Sequence, residues 1–143
     1  MAVLENSVLI ERPMGDVFDY AIDMRNELTW NPQCRSMEKI TEGPIGLGTK
    51  FLAKWKQSPL IEVTCTEFER PQVWEYTNGG PLAVVLKVSL SAQDGGTRLS
   101  SRFDVRPHGL MRLFFPVVLR SLRRAEQRNM ASIKKALEEA PGH

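Results

Sequence analysis

The feature that most constrains this chain is a change of period at residues 107–109, "PHG". Upstream, from about residue 34, apolar residues come in short runs broken by Gly and Pro. Downstream there is one long helical pattern. Val118, Leu122, Ala125, Met130, Ile133 and Leu137 form an apolar stripe, while Arg120, Arg123, Arg124, Gln127, Lys134, Lys135 and Glu138 lie off it. A lone amphipathic helix must cover its stripe, and a curved sheet is the surface on offer. The pattern predicts a helix from the turn to about Ala140, kinked near Pro116, whose ring removes a backbone donor. Its 117–137 stretch should lie against the concave face of one antiparallel sheet.

The strands are legible from alternation and turn chemistry. "ENSVLIER" is a short β-like run. "PMGDVFDYAI" changes to helical spacing, with Met14, Val17, Phe18, Ala21 and Ile22 in register and Pro13 suited to a first helical position. Asp23 can cap a second short helix through about Leu28, and Pro32 stops it. Six strand candidates follow: "CRSMEKITEG", "GTKFLAKWKQ", "LIEVTCTEFE", "VWEYTN", "LAVVLKVSLSA" and "TRLSSRFDVR". In the last, Leu99, Ser101, Phe103 and Val105 share one face, and Arg98, Ser100, Arg102, Asp104 and Arg106 the other. In the strand before it, Val84, Leu86, Val88 and Leu90 make the apolar face. The order is strand, two short helices, six strands and long helix, an α+β domain with one wet sheet face.

The bulk numbers exclude several classes. A length of 143 residues suits one domain with one core, residues 1–143. A formal net charge of +2 is too small to imply a nucleic-acid partner. Cys34 and Cys65 are far apart without a CxxC pattern; they could pair, but a reduced cytoplasmic chain is the simpler reading. "MAVLENS" has neither a basic leader nor a long apolar run, so no signal peptide is expected. "LMRLFFPVVL" is interrupted by Arg112 and Pro116 and is too short to span a bilayer.

The element order, with "VLIERPMGDVFDYAIDMRNELTWNP", "EGPIGLGTKF", "CTEFERPQ" and "ASIKKALEE", resembles the START/Bet v 1-like (SRPBCC) helix-grip superfamily, especially its polyketide cyclase/dehydrase branch. The resemblance runs across nearly the whole chain. It implies a seven-stranded antiparallel sheet gripping the C-terminal helix, with a deep apolar cavity between them. Members bind lipids, polyketides, quinones, sterols or hormones, and some are cyclases. The gating loops of the plant hormone receptors have no match in "KWKQSPLIE" or "TNGGPLAVV". Trp30 matches a tryptophan commonly found at the cavity mouth in the family; packing beneath the short helices as core is the other reading.

The chemical candidates follow. "GPIGLG" has neither a Walker nor a Rossmann spacing and no helix after it, so it reads as a hairpin turn. His108 and His143 have no second ligand at metal spacing, and nothing pairs His108 with a nucleophilic cysteine. No metal, cofactor or covalent intermediate is expected. Glu67 could face inward as an acid or base, although Phe68 competes for that place and the strand could bulge there. Tyr76 and Ser101 are the other candidates for proton transfer. The ligand-binding expectation is Phe18, Trp30, Met37, Phe51, Trp55, Trp74, Tyr76, Leu86, Ser101, Phe103, Met111, Phe114 and Val118, with Phe115 beside them.

Between positions 106 and 128, Arg106, Arg112, Arg120, Arg123, Arg124 and Arg128 stand against Glu126 alone. Beside "LMRLFFPVVL" they could give transient contact with an anionic membrane, or simply a solvated helix face. Base-stacking aromatics are absent from this band apart from Phe114 and Phe115, so no nucleic acid is expected. Three functions remain: a monomeric or homodimeric cytoplasmic carrier of a hydrophobic small molecule, a cyclase or dehydratase working by substrate positioning and acid/base assistance, and an interaction protein of the quinone-chaperone type. Convergence of titratable groups inside the cavity would favour the enzyme.

Overall fold

A computed structural model describes residues 2–56 and 58–139. Strand β1 (Ala2–Ile10) leads into helix α1 (Met14–Ile22), a 3-10 turn (Met24–Asn26) and the single turn α2 (Glu27–Trp30). Strands β2 (Cys34–Lys39), β3 (Lys50–Trp55), β4 (Ile61–Glu69), β5 (Val73–Asn78), β6 (Leu82–Gln93) and β7 (Gly96–Pro107) follow, and helix α3 (Met111–Glu139) closes the order. The end of the expected helix at Ala140, and His143, lie outside the described residues.

All neighbouring strands are antiparallel, in the order β1-β7-β6-β5-β4-β3-β2. Consecutive strands β1 and β2 thus stand at opposite edges, so α1 and α2 must bridge the open side of the curled sheet. The expected seven-stranded sheet with its helix is what the structure contains.

Local chemistry explains the hairpins. Asp94 and Gly95 have φ of 51° and 79°, and Gln93 pairs with Gly96. This is a two-residue turn with both central residues left-handed, the geometry that Asp-Gly favours and that matches strand twist. Gly96 has a second role, because a Cβ there would run into the Ile10 carbonyl oxygen at the end of β1. Asp23 caps the 3-10 turn as expected, its carboxylate accepting from Arg25 N at 3.1 Å.

Alternation in β7 holds: Leu99, Ser101 and Val105 are buried, while Ser100, Arg102 and Arg106 are exposed. In β4 the register shifts between Cys65 and Glu67. This bulge lets Cys65 and Phe68 both face inward, opposite Tyr76 and Trp74. It also turns Glu67 to the outer face, opposite Glu75 and 3.1 Å from Lys87 Nζ. The inward placement of Glu67 is therefore corrected; competition from Phe68, together with the bulge, decides it.

α3 is held unevenly. Its C-terminal half buries Asn129, Ile133 and Leu137, and the two aliphatic side chains contribute roughly 1.5–3 kcal/mol each. That half is also tied to the end of β1. Lys134 Nζ donates to Leu9 O at 2.7 Å, Glu11 N donates to Glu138 Oε2 at 2.9 Å, and Arg12 donates to Leu137 O at 3.2 Å. The N-terminal half has no comparable anchorage among the hydrogen bonds of the described residues. It opens with 3-10-type bonds such as Leu113 N to Leu110 O at 3.0 Å, and runs on through Pro116. Leu110, Leu113, Phe114 and Val117 are exposed.

Candidate functional site

The interior has two parts. Near α1 it is packed: Phe18 meets Phe68 and Trp74 edge-on, with ring centroids 5.5 and 5.0 Å apart, and Phe51 meets Tyr76 at 6.0 Å. Phe18, Phe51 and Trp74 belong to this closed core. Tyr76 is buried there too, and its hydroxyl donates to the Ile22 carbonyl at 2.6 Å. Burial, and then the neighbouring Cys65, Asp23 and Glu27, push the phenol well above its ordinary pKa. Tyr76 as a proton-transfer group is thereby corrected: its proton is committed to fixing the end of α1.

Towards the first half of α3 the packing loosens. Val84, Leu86 and Phe103 on the sheet, Trp30, Met37 and Trp55 on the opposite wall, and Val118, Leu122 and Met130 on the helix are all half-buried. Register links the sheet members: Phe103 lies opposite Leu86 in one direction and Leu4 in the other. Trp30, Met37, Trp55, Leu86 and Met130 pack against the buried core, so this side is covered, though less completely than the α1 side. Met111 and Phe115, in the first turns of α3, are half-buried too. Phe114 is not part of this set: 61% exposed on the outer side of α3, it is corrected from a lining residue to a surface one.

Ser101 is buried on the sheet. It lies between Leu99 and Phe103 on the concave face of β7, only 5% exposed, and among the described residues its hydroxyl has no hydrogen-bond partner. An unsatisfied buried hydroxyl is costly and awaits an acceptor or donor.

Sequence reasoning missed the polar cluster between α2 and α3. Glu27 Oε1 accepts from Trp55 Nε1 at 2.9 Å and from Asn31 Nδ2 at 2.7 Å. Asn31 is itself buried, its Oδ1 accepting from Gln33 N at 3.0 Å. Burial raises the Glu27 pKa while the Trp55 and Asn31 bonds oppose the rise. On α3, Glu126 is pushed up to about 7, first by burial and then by the charge of Glu27, with the Asn129 side chain 3.4 Å away working against it. Cys34 is buried and pushed up to about 11 by the same causes, which keeps it a thiol. Cys34 and Cys65 are both free.

A signal for Glu126 was present. Leu122, Glu126, Met130, Ile133 and Leu137 follow one another at helical spacing, so the carboxylate occupies a core position of the stripe. Counting it with the basic band hid that. The arrangement offers one carboxyl held by two donors and a second whose pKa burial raises towards neutrality, beside part-covered apolar side chains.

Among the described residues there are surface clefts as well. One, of about 390 Å³, is lined by Phe18, Ile22, Ile45 and Phe68 and rimmed by Arg25, Lys39 and Arg70. Its cations are engaged: Arg70 with Asp19, Arg25 with Asp23, and Lys39 with the Thr41 and Gly43 carbonyls. The other, of about 220 Å³, runs between β1 and α3 at Leu4, Asn6, Arg123 and Gln127. Among the described residues no three His, Cys, Asp or Glu side chains gather as metal ligands, and no helix is long and apolar enough to cross a membrane.

Comparison with known proteins gives one consistent picture. The family model described as "Polyketide cyclase / dehydrase and lipid transport" matches residues 1–138. No curated protein matches the chain significantly. A solved protein of Thermus thermophilus is similar over 99% of this chain and 100% of its own, at 11% identity and TM-score 0.81. Ara h 8.0201 is similar over 97% and 99%, at 18% identity and TM-score 0.73. The di-domain ARO/CYC protein BexL of the BE-7585A biosynthetic pathway is similar over 98% of this chain and 51% of its own, at 17% identity and TM-score 0.72.

Proposed function

The chain belongs to the polyketide cyclase/dehydrase and lipid transport family, and from that premise we propose that it binds an apolar small molecule of the lipid, polyketide or quinone kind between the first half of α3 and the concave sheet face. The observation that carries this reading is the set of half-buried apolar side chains shared by the sheet, the connector and α3, with Leu86, Phe103, Trp30, Trp55 and Met130 among them. A chain that leaves so much large apolar surface part-covered gains from an occupant, at roughly 0.8 kcal/mol per buried methylene before association costs. Ser101 and the Glu27–Glu126 cluster supply the few polar contacts that orient such a ligand.

A second reading is favoured by the placement of Glu126 on the inward stripe of α3, 3.4 Å from the Asn129 side chain, where burial raises its pKa to about 7. A carboxyl that is half-protonated near neutrality can donate and recover a proton, as a cyclase or dehydratase requires. In this reading Glu126 is the acid/base group, Glu27 supports its proton affinity, and Ser101 contacts a substrate oxygen.

Native mass spectrometry of freshly purified protein, followed by binding of fluorescent fatty acids, quinones and polycyclic aromatics, tests the binding proposal. Micromolar or tighter binding of one class is expected. If nothing co-purifies and no probe binds below high micromolar concentrations, the reading fails.

A further inference from the structure

We propose that the outer face at the start of α3 is a docking surface for an anionic lipid bilayer. Leu110, Leu113 and Val117 are 78%, 74% and 75% exposed, and Phe114 is 61% exposed. Within α3, Leu113, Phe114 and Val117 share the outward side of the first two turns, with Leu110 immediately before them. One helical turn further, Arg120, Arg124 and Arg128 continue that side, and all three are exposed. The stretch from 106 to 128 has one acidic residue, Glu126, which lies on the inward stripe. The outward face is therefore an apolar tip followed by an uninterrupted guanidinium ridge.

This pattern fits a helix that lies on a membrane, its apolar tip in the acyl boundary and its arginines at the phosphates. Charge decides the occupant. A second copy would set the arginine ridge against another ridge if the helices ran parallel, or against the apolar tip if antiparallel, whereas an anionic leaflet answers both tip and ridge. Topology adds a reason for the location. β7 ends at this end of the sheet, where β6 begins, so the tip stands on the half of α3 whose side chains are least covered. Leu47, also 73% exposed, lies in the loop between β2 and β3 at the opposite end and has no such ridge. The docking inference does not rest on an occupied interior, so its failure and that of the ligand proposal are separable.

The test is flotation of the ligand-free protein with vesicles of phosphatidylcholine alone, or with about one-third phosphatidylserine, at low and high salt. Binding is expected only with phosphatidylserine and should fade with salt. Leu113→Ser with Phe114→Ser should weaken it at least about tenfold. Arg120→Gln with Arg124→Gln should weaken it about 25-fold, roughly fivefold for each arginine, and flatten the salt dependence. Leu47→Ser should change nothing. These side chains are exposed, so all variants should melt with the wild type. Absence of wild-type binding, equal binding to neutral vesicles, or undiminished binding of the leucine–phenylalanine variant overturns the proposal. So does a wild-type dimer by light scattering that the same variant dissolves, because the patch would then be a subunit interface.

Discussion

At the scale of single residues, Glu126 concentrates a conflict between helix patterning and solvation. Its carboxyl sits where the α3 stripe calls for an apolar group, and burial raises its pKa from 4.5 to about 7. The folded state then holds a proton that the unfolded chain has released, so stability is highest below about pH 4.5 on this account and falls as pH rises towards 7. Glu126→Gln should remove that slope and stabilise the protein at pH 8 by about 2 kcal/mol, after discounting for partial exposure. Urea denaturation at several pH values checks it; an unchanged slope would assign the pH dependence elsewhere. Ser101 makes a second case. Ser101→Ala relieves an unpaired buried hydroxyl and should raise stability by about 1 kcal/mol, seen as a higher melting temperature, while weakening any ligand whose oxygen uses that hydroxyl. Ser101 was legible because β7 alternates strictly. Glu27 was not, since its role arises from Trp55, a strand residue brought to α2 only by the fold. Glu67 misled for a local reason: a bulge inverts the facing of every residue beyond it, and its exact place is not written in alternation.

At the scale of elements, the sheet and its order were readable because turn chemistry and period agree. The Asp94–Gly95 turn, the alternation of β7 and the stripe of α3 each point to the same arrangement. The uneven grip on α3 was not readable, because its cause is a set of contacts to β1 from residues that look like ordinary surface charges. Lys134 and Glu138 hold the C-terminal half, while among the described residues the first half lacks equivalent hydrogen bonds. Hydrogen exchange should therefore be faster in 111–122 than in 129–139, and Lys134→Met should shorten the protection of the latter. Uniform protection along α3 would show that the first half is not loosely held. The start of the sheet hairpin gives a sharper test. Gly96→Ala should destabilise by about 1–3 kcal/mol, because its methyl group meets the Ile10 carbonyl rather than a yielding side chain. A chemical denaturation midpoint unchanged by this substitution would mean that β1 and the hairpin can move apart freely.

At the scale of the whole molecule, the question is why a small domain leaves apolar surface part-covered while its other half is tightly filled. Topology gives the physical reason. β1 and β2 occupy opposite edges, the connector between them is spent closing the α1 side, and α3 is fastened at one end only. The side chains on that side stay part-covered, and on the proposed function a ligand supplies the missing contacts. Two substitutions of similar kind distinguish a filled interior from an open one. Ala53 is fully buried in the packed core, so Ala53→Leu should cost about 1–3 kcal/mol through overpacking. Leu86 faces the half-covered region on β6, so Leu86→Phe should be nearly neutral in denaturation. The same Leu86→Phe variant should bind the best probe of the fatty-acid, quinone and polycyclic panel at least about tenfold more weakly, because its ring takes volume the ligand needs. Equal destabilisation by both substitutions would mean that the interior is filled throughout. A neutral Leu86→Phe with unchanged binding would place the ligand elsewhere, with the cleft between β1 and α3 the next place to look.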